Sequence, residues 1–172
     1  MQKIDPIDLR ILAELQEDAR LSNVELASRV GLSPSPCLAR VRALEASGLI
    51  ARYVTLLDPS AFGLTVSVFI QVSLDKQIDS SLTRFEMAIS NMPEVMECYL
   101  MTGDSDYLLR VVVADVPALQ SFIVERLTKI AGVSNIRSSF ALKQVKFKTA
   151  LPIAVQWSTP IARFPKTTRK RR

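Results

Sequence analysis

The chain contains no histidine. That absence removes the Ser-His-Asp and Cys-His nucleophile systems, and the commonest metal ligand with them. Cysteine is scarce. Cys37 and Cys98 are too few for a disulfide framework or a zinc site, and they read as two small buried thiols. No apolar run approaches the roughly 18 residues that span a bilayer. The opening stretch MQKIDPIDLR has no apolar segment of signal-peptide type, so a cytoplasmic protein with no membrane partner is expected. Neither a metal nor a cofactor is expected.

Acidic residues are missing from one region only. Residues 151–172 hold six basic side chains and no carboxylate, against a net charge of +5 for the whole chain. The rest is close to neutral, so nucleic-acid binding by the body has to rest on where individual charges sit.

What is present is ample for a folded core: 172 residues, 48% hydrophobic and 23% charged. The first 50 residues read as three capped helices. Asp5-Pro6-Ile7-Asp8 supplies an N-cap, a first-turn proline and an early carboxylate, ahead of Ile7, Ile11, Leu12 and Leu15 on one face. Ser22-Asn23-Val24-Glu25 is a capping box, and the helix it opens stops at Gly31. Ser33 then caps a third helix with Pro34 at its first position and Pro36 in the same turn. A period of 3.6 gathers Cys37, Leu38, Val41 and Leu44 on the core side of that helix. Pro36, Arg40, Ala43 and Ser47 fall on the outer side, with Arg42 on the flank. Residues 49–54 read as a short strand or wing. Only Gly31-Leu32 separates the second helix from the third, so the three make a helix-turn-helix. The outer face of the third is small residues around one arginine, as a helix entering a DNA groove requires.

Residues 55–64 read as a connector, 1–54 as one domain, 65–150 as a second and 151–172 as a basic tail. The second domain opens with strict alternation, Val66, Val68, Ile70, Val72 and Leu74 on one face and Ser67, Phe69, Gln71 and Ser73 on the other. A helix carrying Leu82, Phe85, Ile89 and Met92 follows, then strands over 95–102 and 107–114. A helix from about Pro117 to Gly132 precedes a last strand from near Ser134 to Lys148, with a bulge or bend expected between Leu142 and Val145. The order βαββαβ is the ferredoxin-like split, and the fold class is α+β. One sheet face stays uncovered and would expose Phe69 and Tyr99, so self-association is expected.

The segment SNVELASRVGLSPSPCLARVRALEASGLI closely resembles the signature of the Lrp/AsnC, or feast/famine, family of bacterial transcription regulators. The segment ECYLMTGDSDYLLRVVV resembles the effector-binding domain of the same family. The resemblance runs from about residue 4 to residue 150 and leaves out the tail. It implies a winged helix-turn-helix on double-stranded DNA, a ferredoxin-like domain that senses an amino acid, and homodimers that assemble further, often to octamers. On that pattern the DNA-binding residues are Asn23, Arg29, Ser33, Pro34, Ser35, Pro36, Arg40 and Arg42. Arg40 would be the principal contact, and Arg29 and Arg42 would lie on phosphates. The effector is expected at the TGDSDY hairpin, with Asp104 and Asp106 as partners for an ammonium. Gly103 would allow close approach, Thr102 would offer a hydroxyl, and Leu100 and Tyr107 would form apolar walls. The resemblance puts this pocket between subunits, near Ser138, Ser139, Phe140 and Ala141. Ser105, where the family commonly has a bulky residue, points to a roomier pocket.

Two other functions fit less well. An enzyme on the second domain would have to use Asp104 and Asp106 as paired carboxylates, yet aspartates in a glycine-containing hairpin are more often turn-formers. An architectural DNA-binding protein would ignore metabolites altogether.

Overall fold

The computed structural model describes residues 4–75 and 79–153. They form two compact units. One comprises residues up to Thr55 together with the chain from Phe147, and the other runs from Leu56 to Lys146. The second compact unit ends at Lys146, four residues before the sequence boundary at residue 150. From residue 154 on, the basic tail read from the sequence lies outside the described residues.

The first unit holds α1 (Pro6–Glu17), α2 (Asn23–Val30) and α3 (Pro34–Ala46). The Asp5 side chain accepts the N–H groups of Ile7 and Asp8, both at 2.8 Å, and Asp8 accepts the Asp5 N–H at 3.1 Å. This reciprocal cap satisfies donors that the first turn would otherwise leave open. Ile11, Leu26, Ala27, Val30, Cys37 and Leu44 make the core. Leu38, expected there, is exposed at 38%. Residues 49–54 form no strand. Leu49 and Ile50 pack on the core, but no neighbouring segment of this unit offers them a ladder, and without one a strand does not form.

The second unit is a four-stranded antiparallel sheet in the order β2-β3-β1-β4. Its strands are β1 (Val66–Leu74), β2 (Val95–Leu100), β3 (Tyr107–Val113) and β4 (Val133–Phe140). Helix α4 (Asp79–Ser90) joins β1 to β2, and α5 (Val116–Ser121) continues through a π turn and a 3-10 turn before β4. Val68, Ile70, Val72, Leu109 and Val111 are fully buried beneath Phe85, Leu119, Phe122 and Leu127. The opposite face stays open, with Phe69 at 39% and Tyr99 at 52% exposure, as the alternation required. Cys98 is exposed, not buried as expected, while Cys37 is buried.

Strand β4 is shorter than the sequence suggested. It stops at Phe140, opposite Val68, and one further bond joins the Ala141 N–H to the Ser67 carbonyl. Strand β1 begins at Val66, so the chain beyond Ala141 has outrun its partner. The phase change near Leu142 is therefore no bulge, and the pairing irregularity lies between Ser73 and Leu74. Leu142, Val145 and Phe147 are left exposed beside Lys143, Lys146 and Lys148.

Candidate functional sites on the third helix and the hairpin

Helix α2 sets the position of α3. The Ser22 hydroxyl accepts the Glu25 N–H at 3.2 Å, while the Glu25 carboxylate accepts the Ser22 N–H at 2.9 Å. The Ser22 hydroxyl also donates to the Glu25 carboxylate at 2.6 Å, and this bond together with that from the Ser22 N–H holds the Glu25 carboxyl below its ordinary range. Gly31 closes α2 at φ +74°, a left-handed conformation open to glycine at little cost, and that turn swings the chain into α3. The Asn23 amide donates to the Pro34 carbonyl at 2.8 Å. Asn23 thus clamps the entry of α3 to α2, so its side chain is committed to the fold.

Ser33, Pro34, Ser35 and Pro36 are all exposed. Ser33 sits at the N-cap, but its side chain makes no capping bond, contrary to expectation. Pro34 and Pro36 carry no N–H, so the backbone donors left at this mouth are those of Ser33 and Ser35. The entry is therefore stiff and sparing in donors, with two free hydroxyls at its rim.

The outer face of α3 differs from the one read off the sequence. The Arg40 guanidinium turns toward α1 and pairs with Asp5 at 2.6 Å and with Asp8 at 2.7 Å. Asp8 is only 5% exposed. Burial acts to raise the Asp5 carboxyl, but bonds from the Asp8 and Ile7 backbone and from Arg40 outweigh it and hold it below its ordinary range. The same two carboxylates raise Arg40 further. Arg40 is therefore a tie between helices, not an outward side chain. Of the expected face Pro36 and Ser47 are exposed while Arg40 and Ala43 are half-buried, and Ser35, Leu38, Ala39, Arg42, Glu45 and Ala46 are exposed as well, a stripe whose centre lies about one residue (about 100°) round from the expected one. Arg42 has no ion pair or hydrogen bond among the described residues. Glu45 accepts the Tyr53 hydroxyl at 2.9 Å, and burial together with that bond pushes the Tyr53 phenol up to about 12. Arg29 pairs with Glu14 at 3.1 Å and stays half exposed.

In the second unit the TGDSDY hairpin is held by Asp106. Its carboxylate accepts the Leu74 N–H at 2.7 Å, its own N–H donates to the Val72 carbonyl at 2.9 Å, and its carbonyl accepts the Met101 N–H at 2.8 Å. It is 7% exposed. Asp106 therefore fastens the hairpin to the end of β1, and the expectation that it faces a ligand does not hold. Tyr107 is 1% exposed, with its ring 4.5 Å from Phe85 and its hydroxyl donating to Glu86 at 2.8 Å. It is a core residue, not a pocket wall. Leu100 pairs with Tyr107 in register and shares its side of the sheet.

Register also separates the second group of expected effector residues. Ser138 and Phe140 pair with the buried Ile70 and Val68 on the helix side, whereas Ser139 pairs with Phe69 on the open side. What does meet the hairpin is a small, shallow open cleft of about 30 Å³, lined by Gln71, Ser73, Asp104, Ser105, Asn135 and Arg137. The Ser73 hydroxyl reaches the Asp104 carbonyl at 3.5 Å. Gly103, at φ +126°, turns the loop that carries Asp104 and Ser105. Thr102 and Ala141 are exposed and do not line this cleft. Of the six lining residues, Asp104 was expected in the site and Ser105 was expected to set its size. The odd positions of β1 carried the signal for Gln71 and Ser73, but Asn135 and Arg137 enter only through the β1–β4 register.

Across the open face, Arg110 donates to Glu97 at 2.8 Å and the Tyr99 hydroxyl donates to Glu97 at 2.9 Å. Burial acts to raise the Glu97 carboxyl, but the Arg110 and Tyr99 bonds outweigh it and hold it below its ordinary range. Among the described residues no cluster of His, Cys, Asp and Glu could hold a metal ion, and no helix is long and apolar enough to cross a membrane.

A helix-turn-helix unit with an exposed third helix, joined to an open-faced βαββαβ sheet, defines a DNA-binding transcription regulator with a ligand-binding domain. Known proteins agree. A winged helix-turn-helix DNA-binding model matches residues 4–51, and the Lrp/AsnC ligand binding domain matches residues 67–151. The Bkd operon transcriptional regulator of Pseudomonas aeruginosa is 49% identical over 153 residues, which is 89% of this chain and 100% of that one. The leucine-responsive regulatory protein of Escherichia coli strain K12 is 41% identical over 150 residues, 87% of this chain and 92% of its own. Among solved structures, a transcriptional regulator of Neisseria meningitidis in complex with L-Met has a TM-score of 0.84 at 41% identity, covering 87% of this chain and 97% of that one. An AsnC family regulator from Agrobacterium tumefaciens has a TM-score of 0.82 at 42% identity, with the same coverage. The chain belongs to the Lrp/AsnC family of transcriptional regulators.

Proposed function

We propose that this protein binds operator DNA through α3, with Arg42 reading base edges, and that an amino acid held in the hairpin cleft modulates that binding. The observation that carries the first half is the solvent stripe of α3. Arg42 is its one basic side chain, among Ser35, Ala39 and Ala46, which are small enough to let the helix enter a major groove. Ser33 and Ser35 at the helix mouth and Arg29 at the end of α2 are suited to phosphate oxygens. Arg40 contributes by holding α3 against α1.

The second half rests on the cleft chemistry. A free amino acid needs a cation for its carboxylate and an anion or carbonyl for its ammonium. Arg137 and Asp104 supply one of each, with Gln71, Ser73 and Asn135 as further hydrogen-bonding groups. The L-Met complex of the Neisseria relative supports a free amino acid as the ligand class. The open sheet face, with Phe69 and Tyr99 around the Arg110–Glu97 pair, suits a second copy of the chain, so the working form is a homodimer or a larger assembly. Its action is regulatory, without catalysis, in the cytoplasm.

The test is selection of bound duplexes from a random-sequence pool by the full chain, followed by calorimetry with a panel of L-amino acids. A reproducible consensus and saturable binding of one or a few amino acids are expected. A pool that yields no consensus overturns the operator reading, and a panel that gives no heat overturns the effector reading.

A further inference from the structure

One large apolar side chain stands on the outward stripe of α3. Leu38 is 38% exposed, and it is neither in the buried core of its unit nor among the partly buried residues packed on that core. Its neighbours along the stripe are Ser35, Ala39 and Arg42, all exposed. Leu38 and Arg42 are four residues apart, which places them within about 40° of each other round the helix and about 6 Å apart along its axis. Ser35 and Ala39 are too short to screen Leu38 from whatever α3 meets. A single exposed leucine needs no explanation on most surfaces. On a face that enters a DNA groove it has a consequence.

The consequence is a restriction on sequence. In the major groove guanine, cytosine and adenine present only hydrogen-bond donors and acceptors, and covering those with a hydrocarbon removes their water and returns no bond. Thymine alone presents an apolar group there, its C5 methyl. A leucine pressed into the groove therefore favours sequences that set that methyl against it. Arg42 has the complementary chemistry, a planar donor fork that suits the two acceptors of guanine. With α3 lying along the groove, an axial separation of about 6 Å is close to two base steps of about 3.4 Å each.

We propose that Leu38 is a specificity-determining residue of the DNA-binding face, selecting thymine through its C5 methyl about two base pairs from the base that Arg42 reads. The proposal rests on the operator reading above. It gives α3 two readers of different kinds. Arg42 bonds a base edge through its charge, whereas Leu38 acts by taking a methyl group out of water. The apolar contact neutralises no phosphate and releases no counterion, so its share of the discrimination does not change with salt.

The experiment takes the consensus duplex from the selection above and replaces its thymines one at a time by deoxyuridine, which removes the methyl and keeps the O4 acceptor. Affinities are measured at two salt concentrations for the full chain and for full-length Leu38→Ala, Leu38→Gln and Leu38→Met. In the parent, the change at one thymine beneath each α3 should weaken binding about fourfold, as expected for one methyl group returned to water. That penalty should persist in Leu38→Met, vanish in Leu38→Ala and Leu38→Gln, and be equal at both salt concentrations. Thermal midpoints of the variants should stay within about two degrees of the parent, as for a surface substitution. A penalty that survives in Leu38→Ala and Leu38→Gln would overturn the proposal. So would a lowered midpoint with unchanged selectivity, since Leu38 would then serve the fold alone. A consensus in which no thymine is sensitive overturns this contact and leaves the operator reading standing, whereas a pool without a consensus overturns both.

Discussion

Arg40 and Asp8 are joined across two helices by a 2.7 Å ion pair in which the carboxylate is almost entirely out of water. Removing the cation strands that carboxylate, whereas removing a solvent-facing arginine on the same helix strands nothing. Arg40→Ala should therefore lower the thermal midpoint by several degrees and weaken DNA binding only as far as α3 loosens. A variant as stable as the parent would show the pair to be dispensable.

Arg42→Ala separates recognition from folding in the other direction. The thermal midpoint should stay within about a degree, while operator affinity falls by about 1–3 kcal/mol with relaxed preference at one base position. Quantitative footprinting on the selected operator reads both. An affinity equal to that of the parent would remove Arg42 from the interface.

The depressed carboxyl of Asp5 makes the first unit acid-sensitive. In the unfolded chain this group takes up its proton near 3.8, and in the folded one only at lower pH. The unfolded state therefore binds more protons as pH falls through 3.8, and the stabilisation, complete above that value, drains away below it. Asp5→Asn keeps a capping oxygen and loses the titration. Thermal midpoints of parent and variant measured from pH 6 to pH 3 should converge at the acid end. Parallel curves would mean that Asp5 carries none of the slope.

The two aspartates of the hairpin should behave differently. Asp106→Ala leaves the Leu74 N–H without its acceptor in a buried setting, at a cost of about 1–3 kcal/mol in urea unfolding. Asp104→Ala and Arg137→Ala should leave stability unchanged and abolish amino-acid binding in calorimetry. Intact binding in both cleft variants would place the effector elsewhere.

Phe69→Glu puts a charge in the middle of the open sheet face, where the side chain already meets solvent in the single chain. The fold should survive and the assembly should not. Sedimentation is expected to show a smaller particle with parental far-ultraviolet dichroism, and an unchanged mass would exclude this face as the interface.

Local chemistry is legible in the sequence and distant partnership is not. The caps at Asp5, Ser22 and Gly31, and the alternation of β1, are written in residues two to four apart, and all appear as expected. The face of α3 escapes a sequence reading because that helix has little apolar contrast, with alanines at 39, 43 and 46, and its orientation is set by carboxylates 35 and 32 positions away. Asp106 escapes it for the same reason, since its acceptor role is defined by Leu74, 32 residues earlier. The cleft is a product of register. Ser73 and Asn135 face each other only once β1 and β4 have paired, and no spacing within either strand announces it.

Helix α3 divides its duties cleanly between two sets of positions. Cys37, Arg40 and Leu44 hold it in place, while Ser35, Ala39, Arg42 and Ala46 look outward and carry almost none of that burden. Specificity is therefore free to drift at low thermodynamic risk. A library randomised at the four outward positions should return mostly folded proteins with new operator preferences, whereas one randomised at the three inward positions should return mostly insoluble chains.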